Sequence, residues 1–310
     1  MTWGIATTIK APVAEVEAWV AHHLALKPAQ IWLHFDDPDD PAADAVDGIK
    51  GLTVIRCDAS HWEARGGRPI KIEGRQTRNA QSIYDRGEVD WLAHMDGDEF
   101  IYPSEPVAAV LDRADDASPV VRMRPWEAIH SPKNGGVFDA HLFRAPILWK
   151  EQRELFYAVF EDYAPIMKRG SLSHSVGKSF YRKGIEGLEV RIHTALIDGK
   201  RVKGYPFTEE MPLLHFHAHD PADWKARLPG RAKTGAYLGV PELLQILSEA
   251  SADELDHFYQ TVAAMDVDKV SICMDRGLLK DIDLDLPTKV AAMRLYATIA
   301  SARLRSTETS

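Results

Sequence analysis

Cysteine is nearly absent: two thiols, Cys57 and Cys273, stand in 310 residues. Two thiols so far apart build no disulfide framework, and without a CxxC pair they make no zinc cluster. A reducing, cytoplasmic setting is therefore expected. Long apolar runs are missing too, since no stretch reaches the ~20 residues of a bilayer-spanning helix. The N-terminus, MTWGIATTIKAP, shows no basic segment followed by an apolar one, so no secretory signal is expected. Basic charge is in the minority, with 37 Lys and Arg against 46 Asp and Glu, for a net charge of −9. A nucleic-acid binder normally carries a basic face, and none is evident. Local basic residues still permit a phosphate-bearing small ligand. Internal repeats and low-complexity segments are absent as well.

What is present is the balance of a globular protein, 45% hydrophobic and 27% charged. The first hundred residues alternate strand and helix signals. Strands are expected at Trp3–Ile9, Ile31–Phe35, Leu52–Cys57 and Val89–Met95. A helix opens at Pro12, with proline in its favoured first-turn place, and another spans Gly74–Arg86. DDPDDPAADAVDG between them reads as a polar loop or short helix. This βαβ rhythm predicts an α/β fold with a mostly parallel sheet and right-handed crossovers. The middle, from about 118 to 217, carries short strand-like runs at Pro119–Met123, Phe138–Phe143, Val190–Leu196 and Leu213–Phe216. From about 240 to 305 the spacing of apolar residues is helical. Two domains are expected, 1–235 and a helical extension over 236–310.

The most informative segment is VDWLAHMDGDEFIYP, residues 89–103. A short apolar strand runs straight into Asp96-Gly97-Asp98-Glu99. Carboxylates crowded at a strand mouth repel and lose hydration unless a cation or donors compensate them. Ligands of open α/β sheets sit outside the carboxyl ends of strands. In extended geometry Asp96 and Asp98 lean to one face, where they can share a hard divalent ion while Gly97 leaves room for a ligand. An ordinary acidic surface turn is the other reading.

Polar groups end other strands in the same way. Thr7-Thr8 closes the first and Asp36-Asp37 the second, where a carboxylate suits ribose hydroxyls or a base edge; a solvated Asp-Pro turn is the alternative. RQTRN opens the helix before the acidic strand, with Arg75 and Arg78 three apart on one face and Asn79 beside them. An anion between the arginines, or two surface cations, are both open. In LLHFHAHD, residues 213–220, His215 and His217 alternate on a strand, and His219 follows if the strand persists. Imidazole suits Mn²⁺ better than Mg²⁺ or Ca²⁺. RGSLSHSVGKSFYRKG, 169–184, is a basic, small-residue segment whose Lys178 suits a diphosphate, though it lacks P-loop spacing; a surface loop is the alternative. Trp126-Glu127 suits a sugar face and an acceptor hydroxyl, or a packed ring beside a solvated acid.

Together these residues resemble the family 2-like glycosyltransferases of GT-A fold, nearest the bacterial branch close to family 92. The likeness covers roughly residues 3–235 and rests on the first strand–helix–strand segment, RQTRNAQ, WLAHMDGDEFIYP, HSVGKSF and LLHFHAHDPADWKARLPGR. It implies a transferase that uses Mn²⁺ or Mg²⁺ and a nucleotide-sugar donor, UDP-linked in the first instance. Asp96 and Asp98 then resemble the metal-binding DxD, and His215 the later histidine ligand. Thr8, Asp36 and Arg75 look like nucleotide contacts, with Asp37, Asn79, Asp96 and His217 counted in the same cofactor-binding set. Lys178 looks like a diphosphate contact. The general base is Glu127 or Asp162 of the Glu161-Asp162 pair, which lacks the QxxRW pattern that usually follows. The implied acceptor is a glycan or a lipid-linked sugar, and inversion is the expected outcome. The C-terminal helices would cap the acceptor cleft, form a homodimer surface or lie peripherally on the inner membrane face. A metal-dependent phosphohydrolase or nucleotidyltransferase, and a non-catalytic sugar-binding protein on a transferase fold, remain the competing readings.

Overall fold

The computed structural model describes residues 1–308 apart from 235–236 and 238–239. In chain order its elements are β1 (Trp3–Ile9), α1 (Val13–Ala25), β2 (Gln30–Phe35), α2 (Pro41–Val46), β3 (Leu52–Arg56), α3 (Ala59–Glu63), α4 (Ile72–Tyr84), β4 (Trp91–Met95), β5 (Glu99–Ile101), α5 (Val107–Asp112) and β6 (Val120–Ala128). Then follow β7 (Leu142–Arg144), α6 (Arg153–Phe160), a 3₁₀ helix (Glu161–Ile166), β8 (Lys178–Arg182), β9 (Leu188–Val190), β10 (Ala195–Ile197), β11 (Lys200–Arg201) and β12 (Phe207–His215). The chain continues with α7 (Pro221–Thr234), α8 (Pro241–Glu249), α9 (Ala252–Val262), α10 (Val267–Asp275), β13 (Leu279–Asp281) and α11 (Leu286–Glu308).

Two compact units form, and neither is continuous in sequence. Unit one takes Met1–Met123, Lys178–Met211 and the chain from Leu284; unit two takes Arg124–Gly177 and Pro212–Asp283. The domain boundary expected between 235 and 236 falls on residues outside those described.

Unit one carries the α/β architecture expected from the sequence, a mostly parallel sheet flanked by helices. β1 lies between β2 and β4, parallel to both, and β3 extends the parallel set beyond β2. β8 runs antiparallel against β4, and the start of β6 antiparallel against β8. Every residue of β1 and β4 is buried, as befits strands covered on both faces. Gly4 is needed in β1 because a Cβ there would sit 2.7 Å from the Gln30 carbonyl and from the Trp32 ring. α1 buries Val16, Trp19 and Val20, and α11 packs along it, with Arg294 Nε donating to Glu17 at 2.9 Å. β9, β10 and β11 make a small antiparallel sheet. In unit two the end of β6 pairs antiparallel with β7, and β7 with β13.

Several local expectations change. Residues 178–182, read as part of a basic segment, form β8 inside the sheet. The run Val190–Leu196 is two strands around a tight connection, whose Arg191 and Thr194 carbonyls both accept from the Tyr181 hydroxyl, at 2.7 and 3.1 Å. β7 starts at Leu142 rather than Phe138, because Phe138 has φ 55° and Asp139 gathers the amides of Lys133, Asn134 and Gly135 into a turn. β12 begins six residues before Leu213 and ends at His215, so the alternation does not carry His217 and His219 on a strand.

Candidate functional site

In unit one the acidic segment is a turn, not an extended strand. The Glu99 N–H donates to the Asp96 carbonyl at 3.2 Å, and the Glu99 carboxylate accepts the Asp96 N–H at 2.9 Å. Trp19 of α1 fixes the turn from below, its indole N–H donating to the Glu99 carbonyl at 2.9 Å. Gly97 is not an opening for a ligand: a Cβ there would lie 2.6 Å from Ile9 Cδ1. That missing methyl lets the turn settle against the end of β1.

The Asp96 carboxylate is held at both oxygens. Gln76 of α4 donates to Oδ1 at 2.6 Å and Lys178 of β8 to Oδ2 at 2.7 Å. Lys178 also stands 3.5 Å from Glu99, and both of those side chains are fully buried, whereas that of Asp96 keeps 27% exposure. Burial alone would raise the Asp96 carboxyl, but the Lys178 ammonium overrides it and holds the acid well below the usual carboxylate range. Burial alone would likewise lower Lys178, and Asp96 and Glu99 reverse this, keeping it charged. His94, two residues before Asp96 on β4, has neither ring nitrogen hydrogen-bonded among the described residues. Burial, with Lys178 adding to it, pushes its pKa down to about 3, so the ring stays neutral.

Asp96 and Glu99 both face the Lys178 ammonium, and the charge of Asp98 adds to theirs in keeping it protonated. A cluster of carboxylate oxygens is the chemistry a hard divalent ion takes. Three side chains offer ligand atoms suited to a metal: Glu99 in unit one, and His174 with His215 in unit two.

A cleft of about 610 Å³ opens beside Lys10, Asp36, Asp37, Cys57, Trp62 and Arg68. Lys10 follows β1, Asp36 follows β2 and Cys57 follows β3, so the cleft lies at the carboxyl ends of three parallel strands. Asp36 is gripped by Arg75, 2.7 Å away, and by Arg68 at 3.1 Å. Asp37, more exposed, pairs with Lys10 at 3.0 Å. Behind the cleft, Asn79 donates to the Thr8 hydroxyl at 2.9 Å and meets His61 Nε2 at 2.9 Å. The Trp62 indole N–H is buried without an acceptor among the described residues. Arg75 and Arg78 do not frame an anion together: Arg75 serves Asp36 and the Pro69 and Ile70 carbonyls, and Arg78 the Arg65 and Gly67 carbonyls. The Cys57 thiol is pushed up to about 12 by burial, so it is no nucleophile.

Unit two holds the remaining sequence-derived candidates. His215 and His217 are both buried, with ring centroids 5.4 Å apart, and His174 lies 5.0 Å from His215. His217 Nε2 meets the Tyr237 hydroxyl at 2.8 Å, and that hydroxyl accepts from the Trp224 indole at 3.0 Å. Burial, joined by Arg231, lowers His217 well below the usual histidine value, so the ring is held neutral. Glu127, buried, receives the backbone amides of Leu172 and Ser173. Asp162 is exposed on the 3₁₀ helix.

Unit one therefore brings together Asp96 and Lys178 at one strand end, and Thr8, Asp36, Asp37, Arg75 and Asn79 around the cleft. Unit two brings together His215 and His217. Gln76, His94 and Trp19, and in unit two His174, Arg144 and Tyr237, were not singled out from the sequence. Gln76 had a signal, one residue past Arg75 on the helix face nearest the acidic turn. His174 had one as the first residue of HSVGKSF, though attention there went to Lys178; Tyr237 had none beyond residue type.

No protein-family model matches the chain, and no curated protein sequence matches it. Solved structures do show likenesses. HddC from Yersinia pseudotuberculosis is 10% identical with a TM-score of 0.30, over 43% of this chain and 65% of its own. TarS 1-349 from S. aureus is 12% identical with a TM-score of 0.35, over 84% of this chain and 72% of its own. A mycobacterial protein is 13% identical with a TM-score of 0.33, over 62% of this chain and 57% of its own. The chain thus spans less than two thirds of two of these three relatives. At such TM-scores the likeness is a loose one and assigns no activity. No helix among the described residues is long and apolar enough to cross a membrane.

Proposed function

We propose that this chain is a metal-dependent glycosyltransferase, moving a sugar from a nucleotide-sugar donor to a hydroxyl of a glycan or glycolipid acceptor with inversion. The observation that carries the reading is the unit-one cleft at the carboxyl ends of β1, β2 and β3, where the Trp62 N–H has no acceptor among the described residues. Ligands of open α/β sheets bind at such strand ends, and a nucleotide offers the acceptors that this indole and Arg68 would engage. In this reading Asp36 and Asp37 receive ribose or base N–H and O–H groups, Arg75 orients Asp36, and Asn79 with Thr8 backs the floor.

Asp96 and Asp98 fit a divalent ion because carboxylate oxygens are the ligands such an ion takes, and Asp96 keeps 27% of its side chain exposed beside Lys178. Bound there, such an ion supplies Lewis-acid stabilisation of a departing diphosphate. Lys178 contributes a fixed, desolvated positive charge, which is worth most where water is excluded. In unit two His215, with His174, offers nitrogen ligands that favour Mn²⁺ over Mg²⁺, and Tyr237 holds His217 for a cofactor contact. Proton removal from the acceptor falls to Asp162, since both oxygens of Glu127 already receive backbone amides.

The test is the thermal midpoint with UDP- and GDP-sugars, with and without Mn²⁺, for the wild type and Asp98→Ala. A ligand that binds only the native state raises the midpoint by mass action. A metal-requiring rise that Asp98→Ala abolishes supports the reading. Absence of any rise with every nucleotide discards it in favour of a phosphohydrolase.

A further inference from the structure

We infer that Glu127 is a positioning residue that sets the 171–174 segment, and with it the His174 imidazole, rather than the base that takes the acceptor's proton. The inference deepens the transferase reading and rests on it for the kinetic arm of its test.

Glu127 stands near the end of β6, directly opposite Arg144 of β7 in the antiparallel register. Its two oxygens take two successive amides: Leu172 N–H donates to Oε2 at 3.0 Å and Ser173 N–H to Oε1 at 2.7 Å. A carboxylate that bridges neighbouring amides fixes the peptide plane between them. A base needs an oxygen presented to a substrate hydroxyl, and this side chain is 6% exposed with both oxygens turned to its own backbone.

The segment is pinned on either side of the clamp. Gly170 has φ 69°, Ile147 N–H donates to its carbonyl at 2.9 Å, and a Cβ there would lie 2.1 Å from the Ile147 oxygen. Arg169 then reaches forward to the Ser173 carbonyl at 3.0 Å. His174 follows immediately, its ring 5.0 Å from that of His215. The counter-charge comes from Arg144, 1% exposed and 3.7 Å from Glu127, with its guanidinium 4.9 Å over the Phe160 ring and one nitrogen donating to the Val262 carbonyl. Groups that orient a ligating imidazole from behind commonly matter about 10–100-fold without touching the reacting atoms.

Two variants of the full-length chain test this. Glu127→Gln keeps the side-chain shape but turns an NH₂ group toward one of the two amides. Glu127→Asp keeps the charge opposite Arg144 and withdraws the carboxylate by one methylene, so it covers the case in which the glutamine variant fails to fold. The first readout is hydrogen exchange at Leu172 and Ser173, expected to quicken about tenfold or more in either variant while β4 amides stay as they were. The second is hydrolysis of UDP-sugar in Mn²⁺: kcat should fall roughly 10–100-fold, with UDP affinity within about twofold and the acid limb of the pH profile retained. Unchanged exchange at both amides overturns the proposal. So does loss of the acid limb with both amides still protected, which is the signature of a base. If the wild type hydrolyses no donor, the transferase reading fails by itself, and amide exchange alone decides the role of Glu127.

Discussion

In unit one the Asp96 carboxylate meets the Lys178 ammonium at 2.7 Å and still keeps 27% of its side-chain surface open. In unit two Glu127 and Arg144 are 6% and 1% exposed, stand 3.7 Å apart, and the carboxylate is spent on two backbone amides. Both pairs bury a carboxylate beside a cation, at a cost in hydration that only good geometry offsets. The partly open pair keeps carboxylate surface in reach of solvent. The closed pair has none and holds a loop instead. Burial of an ion pair is thus no guide to chemistry until the remaining lone pairs have been traced.

The sharpest way to break this contrast is acid. Burial pushes His22, His34 and His94 down to about 3 and His23 well below its usual value, all in unit one. Unit two has His217 in the same condition. A histidine kept neutral by the fold contributes nothing adverse above pH ~6.5; below it the unfolded chain takes up a proton that the folded one refuses. Stability is therefore full above about 6.5 and lost as pH falls toward 3, by roughly 1.4 kcal/mol per pH unit for each histidine. The carboxylate contribution of Asp96, whose folded value is depressed, is lost only below about pH 4, its unfolded value. Hydrogen exchange by mass spectrometry at pH 7.0 and 5.5 should show unit-one peptides losing protection first. Equal or reversed loss would remove the electrostatic distinction between the units.

Removing the cation from each pair comes next. Lys178→Met leaves Asp96 and Glu99 facing each other beside a neutral residue, which should cost about 3–5 kcal/mol in denaturant unfolding. Arg144→Met leaves Glu127 still receiving two amides, so about 1–3 kcal/mol is expected. Acidification to pH 5 should recover part of the Lys178→Met loss, because protonating Asp96 removes the repulsion. A larger loss for Arg144→Met would show that the guanidinium, not the amides, is what keeps Glu127 in place.

The parallel core was readable in the sequence because β1, β2 and β4 are apolar on both faces and their ends carry Thr8, Asp36 and Asp96 in the chain itself. β8 was hidden because glycine, serine and basic residues surround Lys178-Ser-Phe-Tyr-Arg, and only tertiary burial makes it a strand. The acidic turn was visible as composition and invisible as conformation: extended and turned Asp-Gly-Asp read alike until Trp19, more than seventy residues away, is seen to bond its carbonyls. Glu127 was noticed for its neighbour Trp126, whereas its actual partners, Leu172 and Ser173, lie over forty residues on and contribute only main-chain atoms. Backbone amides leave no trace in residue type, which is why the clamp could not be read from the sequence.

Two glycines give the mildest test of the same contrast. At Gly170 in unit two an added methyl would meet backbone, the Ile147 carbonyl at 2.1 Å, at a φ of 69° that side chains avoid. At Gly97 in unit one it would meet the tip of the Ile9 side chain at 2.6 Å, and no positive φ is involved. Backbone cannot yield without carrying the 171–173 amides away from Glu127, so Gly170→Ala should cost about 2–3 kcal/mol and speed exchange at Leu172 and Ser173. An isoleucine tip can turn to another rotamer, so Gly97→Ala should cost about 1 kcal/mol, its strain relieved inside the core beneath the acidic turn. Thermal unfolding of the two variants ranks them directly. If Gly97→Ala proved the costlier, the acidic turn would be the rigid element of the molecule and the 170–174 loop the adaptable one, the reverse of what their hydrogen bonds imply.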